Sequence, residues 1–259
     1  ELCSLYEKRA KALGSGDEAA ALYVSRGELF DKNLDMKEEA LSSYKMAHSL
    51  APGDIRIMEM IVVLCRVQKW TGELLKALVT RAGMEDKKKA ALTYCEAAGM
   101  LSHRPGQERA QEKLLKLAIW ADPECSESYQ GLEELYEHQG RWKELVGLLR
   151  DEAVKKEGSE KRKLIFRIAR TLEERLDELS VAEEAYSEAL AIEPDDFPSL
   201  QGLERIAERR GDHRRLAEVR EKEIEVLGKD PRAMLILMRL GALYEENLKE
   251  FDKAVVAYE

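Results

Sequence analysis

Apolar residues recur along this chain at helical spacing. Leu164, Ile165, Ile168 and Leu172 fall at i, i+1, i+4 and i+8, and Ala182, Tyr186, Ala189 and Leu190 follow a similar pattern one segment later. Leu200, Leu203 and Ile206 come next, then Leu216, Val219 and Ile224. Polar turns separate these stripes at Pro194-Asp195-Asp196 and Arg210-Gly211-Asp212. A proline stops one helix and an aspartate can cap the next, so each turn reads as a helix–turn–helix boundary. The pattern predicts an all-α chain whose elementary unit is an antiparallel pair of helices about 35 residues long.

The same pattern repeats along the chain. Pro52, Pro123 and Pro194 close similar segments and lie 71 residues apart. Gly27, Ala98, Ala169 and Gly241 keep the same beat, as do Tyr44, Leu115, Tyr186 and Tyr258. Asn33-Leu34-Asp35 returns as Arg175-Leu176-Asp177 and as Asn247-Leu248-Lys249. The small residues would let two helices approach closely while a large side chain fills the space beside them. Gly27, Ala98, Ala169 and Gly241, with Tyr44, Tyr186, Tyr258, Pro52, Pro123 and Pro194, are therefore read as structural repeat positions.

These residues resemble the tetratricopeptide repeat family. One segment reads Tyr23, Arg26-Gly27, Phe30, then Ala40, Tyr44, Ala47, Pro52; another reads Ile165, Ile168-Ala169, Leu172, then Ala182, Tyr186, Ala189, Pro194; a third reads Leu237, Leu240-Gly241, Tyr244, then Ala254 and Tyr258. Each carries one residue more than the family pattern between its helices. The alternate segments diverge, with Glu133 at a small-residue position and Gln111 where alanine is expected. The resemblance implies a right-handed α-α superhelix, a solenoid of antiparallel helix pairs with about fourteen helices and no sheet. The register divides one solenoid, 1–259, into 1–16 (a second helix only), 17–52, 53–84, 85–123, 124–157, 158–194, 195–229 and 230–259. Leu2, Leu5 and Ala10 align with Leu145, Leu148 and Ala153, so the chain is expected to be a piece of a longer, bacterial-type array with flanking repeats.

Composition narrows the function classes. Hydrophobic residues form 44% of the 259 residues, far above a disordered chain, and 51 acidic against 42 basic residues give a net charge of −9. That balance opposes binding to nucleic-acid phosphates or to an anionic membrane, and no apolar run reaches the length of a membrane span. Between 200 and 232 nine basic residues face eight acidic ones, an ion-paired surface and not a phosphate stripe. Helical-repeat RNA binders share the period, but aromatics make up only 6% and mostly hold core positions. No phosphate loop, HExxH, nucleophile elbow or dinucleotide fingerprint occurs, and Gly14-Ser15-Gly16 reads as a turn. His48, His103, His138 and His213 lie in separate repeats without ligand spacing. The expectation is therefore no enzyme, no catalytic residue, no metal and no cofactor. Cys3, Cys65, Cys95 and Cys125 are too sparse for a disulfide scaffold; Cys65 and Cys95 read as core, and Cys125, in a turn, as exposed.

What remains is surface. The first helix of each pair lines the concave face of such a solenoid. The register puts Glu28, Asp31, Glu59, Arg66, Glu96, His103, Gln130, Glu134, Glu137, Arg167, Arg170, Glu174, Gln201, Arg205 and Glu208 there. The row is mostly acidic at its start and more basic near 167–205. Family members that clasp an acidic peptide C-terminus use Lys and Asn in the groove; the only asparagines here, Asn33 and Asn247, match no such motif. The sequence predicts a cytoplasmic, non-catalytic scaffold that binds other proteins or peptide segments, with no nucleic acid and no membrane insertion. An RNA-binding repeat protein and the regulatory segment of a larger enzyme are the alternatives.

Overall fold

The computed structural model describes residues 1–259. It contains fifteen α-helices and no strand: α1 (Leu2–Leu13), α2 (Asp17–Glu28), α3 (Lys37–Leu50), α4 (Ile55–Val67), α5 (Thr71–Ala82), α6 (Lys87–Gly99), α7 (Glu108–Ala121), α8 (Ser126–Gln139), α9 (Trp142–Ala153), α10 (Gly158–Thr171), α11 (Leu179–Ile192), α12 (Phe197–Arg210), α13 (His213–Leu227), α14 (Pro231–Leu243) and α15 (Phe251–Tyr258). The sequence led us to expect about fourteen, partial ones included, and α15 is the partial second helix of the last segment. The chain divides into two compact units, Glu1–Leu135 and Tyr136–Glu259. Within each unit, helices pack on their neighbours in the chain. No helix is long and apolar enough to cross a membrane.

The turns follow the proline register. Asp54 N–H donates to the Ala51 carbonyl, Cys125 N–H to that of Asp122, and Asp196 N–H to that of Glu193, each at 3.1 Å. Pro52, Pro123 and Pro194 each sit second in such a turn, where their fixed φ is already suitable. Several helices open on an aspartate cap: Asp54, Asp86, Asp212 and Asp230 accept from the backbone N–H of Arg56, Lys89, Arg215 and Arg232.

The extra residue in three segments has a visible outcome. Each of their first helices widens into a π-helical turn, at Leu29–Asn33, Leu172–Leu176 and Tyr244–Leu248. An inserted residue that an α-helix cannot absorb is accommodated this way. The turns then reverse through a left-handed residue, Asp35, Asp177 or Lys249, with φ between 55° and 59°. A 2.9–3.0 Å backbone bond closes each: Met36 N–H to Phe30, Glu178 N–H to Leu172, Glu250 N–H to Tyr244.

Ala98 and Ala169 are fully buried. A methyl group at Gly27 would come closer than 3.0 Å to the Tyr44 ring, and one at Gly241 equally close to Tyr258. Tyr186 and Leu115 lean the other way, onto Gly202 and Gly131 of the following helix, again closer than 3.0 Å. The large side chain at this register thus fits either against its own first helix or against the next one. Gly131 and Gly202 are themselves 71 residues apart and so keep the same repeat register.

Candidate partner-binding face

In the first unit the predicted face is built by α2, α4, α6 and the start of α8. Glu28 and Asp31 are half-buried and already paired, with Lys32 at 2.8 Å and Lys37 at 2.9 Å. Glu59 is exposed on α4. Arg66 reaches across to Glu96 on α6, and Arg81 stands 4.0 Å from the same carboxylate. Gln130 donates to Glu134 at 3.0 Å. His103 is not on this face: α6 ends at Gly99, and His103 lies in the following turn, exposed, at φ 60°. This first helix lacks the five-residue π turn that extends its sisters, as at Leu29–Asn33 and Leu172–Leu176.

In the second unit the face is built by α10, α12 and the end of α8. Glu137 pairs with Arg167 at 3.7 Å, Arg170 with Glu174 at 2.8 Å, and Glu208 with Arg220 at 2.7 Å. Gln201 is exposed. Arg205 has a different role from the one its position suggests. Both its Nε and an Nη donate to Glu173 at 2.8 Å, and it reaches the Tyr186 hydroxyl at 3.3 Å. Tyr186 itself donates to Glu173 at 2.7 Å. Burial pushes the Glu173 carboxyl up, but the Arg205 and Tyr186 hydrogen bonds outweigh it and hold it below the usual carboxylate range. Burial and then the Glu173 charge push the Tyr186 hydroxyl well above its ordinary value. Arg205 is therefore a structural clasp between α10, α11 and α12.

Glu173 escaped the sequence reading. Its signal was an acid at 31, 173 and 245, in step with the tyrosines at 44, 186 and 258. Tyr258 donates to Glu245 at 3.3 Å, and burial, followed by the charges of Asp31 and Glu28, pushes the Tyr44 hydroxyl up to about 12.

A cleft of the first unit lies between α2 and α4. This cleft, of about 1020 Å³, is floored by Ala20, Ala21, Val24, Ile57 and Met60, with Asp17 and Asp54 at its rim. The rim's one cation, Arg56, is held by Asp54 at 2.8 Å. An apolar floor with acidic edges suits an extended segment carrying an apolar side chain beside a basic one.

Residues 128–161 match the family model described as tetratricopeptide repeat. No curated protein matches the chain significantly. Among solved structures, the C-terminal part of a TPR repeat-containing protein from Cytophaga hutchinsonii aligns at 14% identity and TM-score 0.47, covering 91% of this chain and 93% of that one. YrrB, described as a TPR protein with an unusual peptide-binding site, aligns at 17% identity and TM-score 0.41 over 67% of this chain and 92% of its own. MamA from Desulfovibrio magneticus RS-1 aligns at 15% identity and TM-score 0.40, covering 68% and 97%.

Proposed function

We propose, from the premise that this chain is a tetratricopeptide-repeat protein, that it is a non-catalytic scaffold binding extended segments of other proteins along the face of its first helices. The observation that carries this reading is the cleft between α2 and α4, an apolar floor open to solvent within an otherwise charged face. The ion pairs along that face refine the electrostatics. Arg66, Arg167 and Arg170 are spoken for by acids of the same chain, so a partner must compete for them or use the cleft. Exposed pairs contribute roughly 0–1 kcal/mol each, so affinity comes from apolar anchors and from length. A cytoplasmic location accompanies this reading; four scattered cysteines without a CxxC pair are too sparse for the disulfide scaffold of a small secreted domain.

The test is selection of a random displayed peptide library on the immobilised chain. Enriched peptides should carry an apolar residue next to a basic one. They should lose binding to Ala21→Trp, which fills the cleft from an exposed position. Peptides indifferent to Ala21→Trp but lost on Arg167→Glu with Arg170→Glu would move the site to the second unit. Indifference to both would remove the first-helix face. Arg205 is left intact, because its reversal would set a second carboxylate beside buried Glu173.

A further inference from the structure

Cys125 was expected to be exposed in its turn, and it is buried. It is the fourth residue of the Asp122–Cys125 turn, the position held by Asp54 and by buried Asp196 in the sister turns, and there the chain tucks inward to start α8. Inside, it joins a cluster of small residues: Ala82, Ala90, Ala91, Ala118 and Ala121. Cys95, half-buried on α6, packs against the same cluster, and the two sulfurs lie 3.9 Å apart.

We infer that Cys95 and Cys125 are an oxidisable dithiol whose disulfide clips α6 to the start of α8. The alanines around the pair leave the two side chains facing each other with no bulky group between. Closing the remaining gap to a bond of ~2 Å asks for side-chain rotation. The oxidant is a low-molecular-weight disulfide. The Cys95 thiolate, on the more open sulfur, attacks one sulfur of that disulfide and releases one thiolate. Cys125 then gives up its proton and attacks the Cys95 sulfur, releasing the second. The two protein thiols are oxidised by two electrons, and the small disulfide is reduced to two thiols. Cys125 already donates to the Glu127 carboxylate at 3.5 Å, and Glu127 is exposed, which gives the departing proton a route to water. Burial, then the neighbouring Cys125 group, pushes the Cys95 thiol up to about 12, so thiolate is scarce at neutral pH and the reduced pair persists. Glu96, next to Cys95, holds Arg66, so the clip also pins one member of the first-helix face.

The experiment is incubation of the full chain with oxidised glutathione under mildly alkaline conditions, followed by intact mass, thiol titration and peptide mapping. We expect loss of two of the four thiols, a mass lower by two hydrogens, a cross-linked Cys95–Cys125 peptide, and a melting temperature higher by ~5 °C that returns on reduction. Cys95→Ser should instead leave Cys125 without an internal partner and abolish the shift. Mixed disulfides alone, a bridge involving Cys3 or Cys65, or a bridged chain that melts no higher would each overturn the inference. The mapping uses the unaltered chain, so it stands even where a serine variant folds poorly.

Discussion

A hydrogen atom is all that α12 can present to Tyr186 at position 202. The ring cannot retreat, because it is fully buried and its hydroxyl is held by Glu173. Gly202→Ala should therefore destabilise by about 1–3 kcal/mol through overpacking. Gly147→Ala, in the middle of α9 with open space around it, should stabilise by about 0.5–1 kcal/mol, since there the glycine brings only unfolded-state freedom. Denaturant midpoints for the two variants should move in opposite directions; movement in the same direction would contradict the packing described. A second residue-scale expectation concerns Glu223, buried on α13 with neither carboxylate oxygen hydrogen-bonded. Burial first, and then the charges of Glu204 and Glu208, push it up to about 7, against the opposing pull of Arg220 and Arg239. Its folded pKa is raised, so the unfolded chain releases this proton first as pH rises. Stability is thus lost from about pH 4.5 up to about pH 7 and stays lower above. Glu223→Gln should stabilise by roughly 2–4 kcal/mol near pH 8 and by little near pH 5. Equal effects at both pH values in urea denaturation would refute that assignment.

At the scale of elements, the chain is most readable where one residue has an obligatory backbone role. The prolines mark the turns because a fixed φ suits that position and no helix continues through it. The extra residue in three segments was legible as a count, and the backbone resolves it as a π turn ending in a left-handed residue. Side-chain roles were harder to read. Arg205 was assigned to the partner-binding face because sequence shows its exposure register but not that Glu173, 32 residues earlier, comes within reach of α12. Cys125 looked exposed because its turn is polar, and only the inward course of α8 buries it. The first-helix residues were assigned to a face, and their pairing with one another, as in Arg66–Glu96 and Glu137–Arg167, depends on distances between repeats that no periodicity states. The left-handed position gives the prediction for this scale. Lys249 is exposed at φ 59°, a conformation that disfavours a side chain. Lys249→Gly should raise stability by about 0.5–1 kcal/mol, the strain relieved less the extra freedom of the unfolded chain. A lowered thermal midpoint would show that the lysine contributes more than its backbone strain removes.

At the scale of the whole molecule, stability is distributed. Helix contacts within each unit run between neighbours in the chain, and the buried residues form local clusters, such as the alanine cluster around Cys125 and the Leu216–Leu240–Tyr244 cluster of α12 to α15. In such an array a local defect is felt mainly by adjoining repeats, and unfolding need not be a single transition. The three tryptophans can report this separately. Trp70 lies in the first unit, and Trp142, stacked under the Arg175 guanidinium at 4.9 Å, lies in the second. Single-tryptophan chains can be made by replacing the other two with phenylalanine; Trp120 is 81% exposed and should tolerate the change. With Gly202→Ala added, the midpoint followed by Trp142 should fall, because Gly202 and Tyr186 belong to its unit. The midpoint followed by Trp70 should move by less than half as much. Equal shifts would mean that the two units unfold as one, in which case the repeat-by-repeat account of stability fails even though every local contact described above remains in place.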